Sequence, residues 1–71
     1  MEAYKVRLIA EHDDLMLRIQ KLKDYMDNLK TESYEGQFYL LFKQYMAMSE
    51  YCLMLEYRAD KEDIDLNAIV T

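Results

Sequence analysis

The residues in this chain that could carry out chemistry are few and scattered. His12 is the only histidine and Cys52 the only cysteine, and neither has a sequence neighbour that would make it a nucleophile or a general base. Residues 11–14 place acidic groups around His12, but consecutive helix residues point in different directions and cannot converge on one ion. Four acidic residues, Asp60, Glu62, Asp63 and Asp65, lie close together near the C-terminus, but they lack the turn glycine and the spacing of a calcium loop. We therefore expect no catalytic site, no metal and no cofactor, and we predict that the protein is not an enzyme.

Tyrosine and methionine are abundant, with seven and six copies in the chain. Tyrosine is apolar with a polar tip and methionine adapts its shape, so both are favoured at interfaces. The pattern is interpreted as a contact between subunits, or as a surface for a foreign protein or a pocket that stacks a base. Four tyrosines recur every six residues and so spiral around a helix: Tyr39, Tyr45, Tyr51 and Tyr57.

The composition indicates one small helical domain over residues 1–71. Proline is absent and Gly36 is the only glycine, so turns are rare, and an apolar fraction of 52% argues against disorder. A chain this short usually needs a disulfide, a metal, regular helix packing or a partner subunit. Cys52 is the only cysteine, so no disulfide can form within the chain, and no metal is expected. Regular packing and self-association are therefore the expected sources of stability.

The net charge of −5 disfavours direct binding to nucleic acid, whose backbone is also negative. No apolar run is long enough for a membrane span, and the N-terminus lacks the features of a signal peptide. A free thiol without an export signal fits a reducing compartment. We therefore expect a cytoplasmic protein that contacts neither membrane nor nucleic acid.

Heptad spacing predicts a first helix over about residues 2–29. Leucine recurs every seven residues and three other residues fill the intervening steps, which is the seam of a coiled-coil-like contact. His12 is the polar member, interpreted as a register-setting residue bonded to a tyrosine or a carboxylate, with a pH-sensitive interface as the alternative. The seam comprises Leu8, His12, Leu15, Ile19, Leu22, Met26 and Leu29.

A second helix is predicted over about residues 34–60, after a turn in residues 28–36 with Ser33 as the N-cap. A short loop favours an antiparallel hairpin, so the seam of this helix should pack against that of the first. The second seam comprises Phe38, Leu41, Tyr45, Met48, Cys52, Leu55 and Ala59.

The second helix carries more apolar surface than one partner helix can cover. Two further apolar rows run along it, and we expect them to contact other copies or a foreign partner. The first row is Tyr39, Phe42, Met46, Leu53 and Tyr57, and the second row is Leu40, Ala47, Tyr51 and Met54. The predicted fold class is therefore all-α: an antiparallel two-helix hairpin with coiled-coil-like packing that assembles into a homo-oligomeric bundle.

Residues 61–71 are predicted to form a short tail beyond a charged helix end. Apolar side chains recur there at every second position, which favours an extended segment laid against another subunit. A third helical turn is the alternative. The alternating positions are Ile64, Leu66, Ala68 and Val70.

Two stretches of the chain carry a resemblance to a known group of proteins. The first is residues 4–11, continued by Leu15, Ile19, Lys21, Leu22, Tyr25 and Met26. The second consists of Ser33, Glu35, Gln37, Leu40, Leu41, Gln44, Ala47, Met48, Tyr51, Leu55 and Arg58, followed by residues 64–66. In these positions the sequence resembles a family of small helical phage and prophage proteins first catalogued in crAss-like phages.

The resemblance implies a phage-encoded accessory protein and no particular site, because the activity of that family is unsettled. This sequence departs from the family pattern where Gly36 replaces an acidic residue. It also departs where Tyr39, Phe42 and Met46 replace commonly charged residues. These changes add apolar surface, which indicates an interface particular to this member.

Three functions are compatible with these features. The first, favoured by small size, acidity and surplus apolar surface, is a non-catalytic phage accessory protein. It would oligomerise and bind, and thereby inhibit, a host protein such as an anti-phage defence component. The second is an oligomeric sponge that sequesters a signalling nucleotide, with Lys43, Arg58 and Lys61 available to pair with phosphates. The third is a purely structural oligomerisation module.

Overall fold

The computed structural model describes residues 2–29 and 35–67, and this part of the chain contains two α-helices. Helix α1 spans Ala3–Asp27 and helix α2 spans Glu35–Lys61. The two helices pack against each other, and the described residues include no strand. The all-α class and the pairing of two helices are thus confirmed. Ser33, the predicted N-cap, lies outside the described residues.

The residues that meet at each level show that the helices are antiparallel. Near the start of α1, Ile9 packs in a cluster with Ala59, close to the end of α2. Further along α1, Leu15 packs with Cys52 and Leu55, which come earlier in α2. Every residue of the two predicted seams is buried or half-buried, so the seams lie along the contact between the helices.

Ile9 is fully buried although it is not on the predicted seam. Ile64 and Leu66, which follow α2 in the chain, pack in the same cluster as Ile9. The seam of α1 faces α2, and these two residues cover a part of α1 that lies outside this seam. A heptad pattern assumes a single facing helix, so it does not identify Ile9 as a core residue.

The end of α2 is a Schellman motif, in which two backbone bonds turn the chain back over the last helical turn. The N–H of Asp63 donates to the carbonyl of Asp60 at 3.2 Å, and the N–H of Ile64 donates to the carbonyl of Ala59 at 2.8 Å. Asp63 has φ 56°, the left-handed conformation that this motif requires. Ile64 then contacts Ala59 in the core, which is the apolar contact that commonly accompanies the motif.

Replacing Asp63 with glycine is expected to raise the free energy of unfolding by about 0.5–1 kcal/mol. A side chain costs about 1–2 kcal/mol in left-handed backbone, and the greater chain entropy of glycine offsets part of the gain. Thermal unfolding followed by circular dichroism measures the change. Asp60→Gly is the matched control: Asp60 lies within the helix, so the same substitution should destabilise it by roughly 0.3 kcal/mol, the difference between two poor helix formers. A stabilising Asp60→Gly or a destabilising Asp63→Gly would contradict this description of the helix end.

The first residues of the tail fold back on their own hairpin. Ile64 is buried and Leu66 is half-buried, while Asp65 and Asn67 are exposed. Thus the alternation seen in the sequence appears as alternating burial. The backbone N–H of Asn67 donates to the Asp65 carboxylate at 2.9 Å. This hydrogen bond closes a local turn. Neither a helix nor a strand forms over residues 64–67, and residues 68–71 lie outside the described part.

Candidate ligand clefts and a polar cluster

One group of three polar side chains crosses the contact between the helices, and we call it the polar cluster: His12, Cys52 and Glu56. Cys52 and Glu56 are four residues apart on α2, so they share one face of that helix. His12 comes from the seam of α1 and is 6% exposed. Its Nε2 lies 2.9 Å from Glu56 Oε2, and the Cys52 thiol donates to the same oxygen at 3.5 Å. The seam histidine therefore bonds to a carboxylate.

Protonation in the polar cluster follows from these contacts. The hydrogen bond from His12 lowers the pKa of Glu56 below its usual value, although partial burial opposes that shift. Burial raises the pKa of the Cys52 thiol, and the hydrogen bond to Glu56 and its negative charge raise it further. At neutral pH the carboxylate is therefore ionised and the thiol is protonated, which is the unreactive form of cysteine.

An open cleft of about 370 Å³ lies beside the polar cluster. A second cleft, of about 620 Å³, adjoins it along α2, because Ser49 and Leu53 line both. Both volumes fall in the range of small-molecule sites, roughly 300–1,000 Å³. The first cleft is lined by Met16, Ile19, Gln20, Ser49, Cys52, Leu53 and Glu56. The second is lined by Lys43, Met46, Ala47, Ser49, Glu50 and Leu53.

The two apolar rows predicted on the second helix are exposed in the single chain. Met46 and Leu53 of the first row and Ala47 of the second row also form walls of the clefts. The first row is 59% exposed at Tyr39, 45% at Phe42, 52% at Met46, 41% at Leu53 and 58% at Tyr57. In the second row, Leu40, Ala47, Tyr51 and Met54 are likewise exposed. The hairpin thus leaves both rows uncovered.

The three cations considered for phosphate pairing lie in different places. Lys43 lines the second cleft, with its Nζ 5.9 Å from the centroid of the Tyr39 ring. Arg58 and Lys61 are in the last turn of α2. At a rise of 1.5 Å per residue, Arg58 is about 22 Å along the helix from Lys43. Within one chain, these cations cannot all hold the same phosphate.

Glu56, Gln20 and Ser49 were not predicted from the sequence as members of a site. The useful signal was the four-residue spacing between Cys52 and Glu56, read together with the polar His12 on the facing seam.

No helix among the described residues is long and apolar enough to cross a membrane.

Comparison with known protein families shows which family the two helices match. The model of the family described as Sequestin matches residues 2–61, which comprise both helices and end at the last residue of α2. No curated protein and no solved structure matches the chain.

Proposed function

Because this chain belongs to the Sequestin family, we propose that it is a non-catalytic protein that sequesters a signalling nucleotide as a homo-oligomer. Sequestration is binding without chemical conversion, and the family's name points to that role. The observation that carries the proposal is the pair of adjoining clefts along α2, which combine apolar walls with a few polar groups. This combination is typical of sites that hold small molecules.

The second cleft offers the groups that a nucleotide needs. The Lys43 ammonium can pair with a phosphate, and the nearby Tyr39 ring can stack a base, an interaction worth about 1–3 kcal/mol. Glu50 and Ser49 line the same cleft and can bond to ribose hydroxyls. One lysine beside one glutamate in this cleft favours a ligand with a low negative charge, such as a cyclic nucleotide.

The symmetric spacing of the first row supports the oligomeric part of the proposal. Phe42 and Tyr57 are equally far from the midpoint between Ser49 and Glu50, and so are Met46 and Leu53. A second α2 running antiparallel across that midpoint would therefore place Phe42 against the copy's Tyr57 and Met46 against its Leu53. Such a surface is complementary to itself, as a two-fold dimer requires. The second copy would also cover the open clefts and turn them into pockets between subunits.

The setting of this activity follows from the resemblance to small phage proteins. We take the chain to be phage-encoded and to act in the cytoplasm of the infected cell. There it would withdraw a nucleotide signal from the host's defence response.

Calorimetric titration of the wild-type protein with a panel of cyclic mononucleotides and dinucleotides tests the proposal. We expect one of them to bind and to be recovered chemically unchanged after the protein is denatured. Lys43→Gln should weaken that binding at least about tenfold, since a hydrogen bond to a charged group contributes roughly 1.5–3 kcal/mol. Lys61→Gln removes the same charge outside the cleft and should bind normally. Absence of heat and of a thermal shift with every nucleotide at saturation would exclude this ligand class.

A host protein is the second candidate target, and the second row favours it. Leu40 is 67% exposed, Tyr51 47% and Met54 44%, and a dimer built on the first row need not cover them. Exposed apolar patches of this kind mark protein interaction sites. The protein would then inhibit its target by occupying it. The test is to recover bound proteins from host lysate with the wild type and with Leu40→Glu. One protein that binds the wild type and not Leu40→Glu, together with no binding of any nucleotide, would support this candidate over the first.

A further inference from the structure

We propose that His12, Cys52 and Glu56 form a zinc-binding site with three protein ligands. One ligand atom from each residue lies within 4.8 Å of the other two. Imidazole nitrogen, thiolate sulfur and carboxylate oxygen are the three ligand types that Zn²⁺ takes from proteins. Three protein ligands with a water in the fourth position is a coordination that zinc adopts in proteins.

Small adjustments bring the three ligand atoms to the distances of a tetrahedral ion. With zinc bonds of about 2.0–2.3 Å, tetrahedral geometry separates neighbouring ligand atoms by roughly 3.3–3.6 Å. The Cys52 sulfur is already 3.5 Å from Glu56 Oε2. The His12 nitrogen is 2.9 Å from the same oxygen, and this distance must open by about 0.4 Å to admit the ion. The distance between the His12 nitrogen and the Cys52 sulfur, which is within 4.8 Å, must settle at about 3.5 Å. Glu56 is 44% exposed at its side chain and can make that adjustment.

A second observation concerns the other ring nitrogen of His12. Nδ1 is buried and has no hydrogen-bond partner among the described residues. Asp13 Oδ1 lies 3.8 Å from it, slightly too far for a hydrogen bond. Zinc-bound histidines almost always donate their free N–H to a carboxylate or a carbonyl. If Nε2 binds the metal, Nδ1 carries the proton, and a small rotation of the exposed Asp13 carboxylate completes that bond.

Charge and access also suit a zinc ion. Binding would release the Cys52 thiol proton to solvent, and the resulting thiolate and the Glu56 carboxylate would together neutralise the 2+ charge. Cys52 and Glu56 line the first cleft, so solvent reaches the cluster from that side. The site is separate from Lys43, and it stands whether or not the cleft binds a nucleotide.

Titration of the reduced full-length protein with ZnCl₂ in a calorimeter tests the site, with MgCl₂ as the hard-cation control. We expect one Zn²⁺ per chain, no heat from Mg²⁺, and a rise in unfolding temperature with zinc. Co²⁺, substituted for zinc, should give the near-ultraviolet absorption of a cobalt–thiolate bond. Absence of zinc binding, or Co²⁺ spectra without the thiolate band, would overturn the proposal and leave a hydrogen-bonded cluster only.

Zinc affinities of single-residue variants test which side chains bind the ion. Glu56→Gln and Cys52→Ser keep the side-chain shapes, and each should weaken zinc binding by more than the roughly 10–100-fold lost with an outer partner. Asp13→Asn should weaken it about tenfold. Glu62→Gln, an exposed carboxylate that follows α2 and lies outside the polar cluster and both clefts, is the matched control and should bind zinc normally. Circular dichroism checks that each variant is folded. Equal zinc affinity in Glu56→Gln and in Glu62→Gln would refute the assignment.

Discussion

Replacing Leu55 with alanine is expected to remove about 2–5 kcal/mol from the free energy of unfolding. Leu55 is completely buried and packs with Leu15 and Cys52 at the contact between the helices. A chain of 71 residues has a total stability of only about 4–10 kcal/mol at roughly 0.05–0.15 kcal/mol per residue. The substitution therefore removes a large share of what holds the hairpin together, and a large fall in the urea concentration at the unfolding midpoint is the expected result.

Urea unfolding monitored by circular dichroism, at one fixed protein concentration, measures this loss. Leu17→Ala is the matched control, because Leu17 is 55% exposed on α1 and lies outside both apolar rows. That control should change the stability by no more than about 0.5 kcal/mol. Equal losses from the two substitutions would mean that the seam is not the core.

The hairpin itself could be predicted because heptad spacing records which side of a helix is buried. A leucine every seven residues in α1 and an apolar seam in α2 need only one partner helix each, and the two helices satisfy each other. Leu15 and Leu55, which the spacing places on the two seams, are both buried in the structure. The helix ends were approximate by a few residues, since ends depend on local hydrogen bonds more than on periodicity.

The polar cluster could not be predicted in the same way, because it depends on how the helices align. Cys52 and Glu56 share a face of α2 by their spacing, but any level of α1 could in principle face them. Only the antiparallel alignment places His12 there. Asp63 is a similar case, since nothing in a charged run marks which residue adopts the left-handed conformation. Such features follow from tertiary contacts, and a single sequence reports these weakly.

Substituting Phe42 and Leu53 together with glutamate is expected to dissociate the proposed oligomer to a chain of 8.6 kDa. Both residues belong to the exposed first row. In the antiparallel pairing argued above, each copy would then place two carboxylates within the apolar contact. Burial of an unpaired charge costs several kcal/mol, more than such a contact can offset. Light scattering of the purified protein gives the mass before and after the change.

Gln37→Glu together with Gln44→Glu is the matched control, because it adds the same two negative charges to α2 at exposed polar positions. This variant should keep the mass of the wild type, while circular dichroism shows that both doubles remain helical. If Phe42→Glu with Leu53→Glu kept the wild-type mass, the first row would not be the contact between copies. A wild type that already scatters as a monomer would reject self-association altogether. The first row would then be free for a foreign partner, and the host-protein candidate would become the stronger of the two functions.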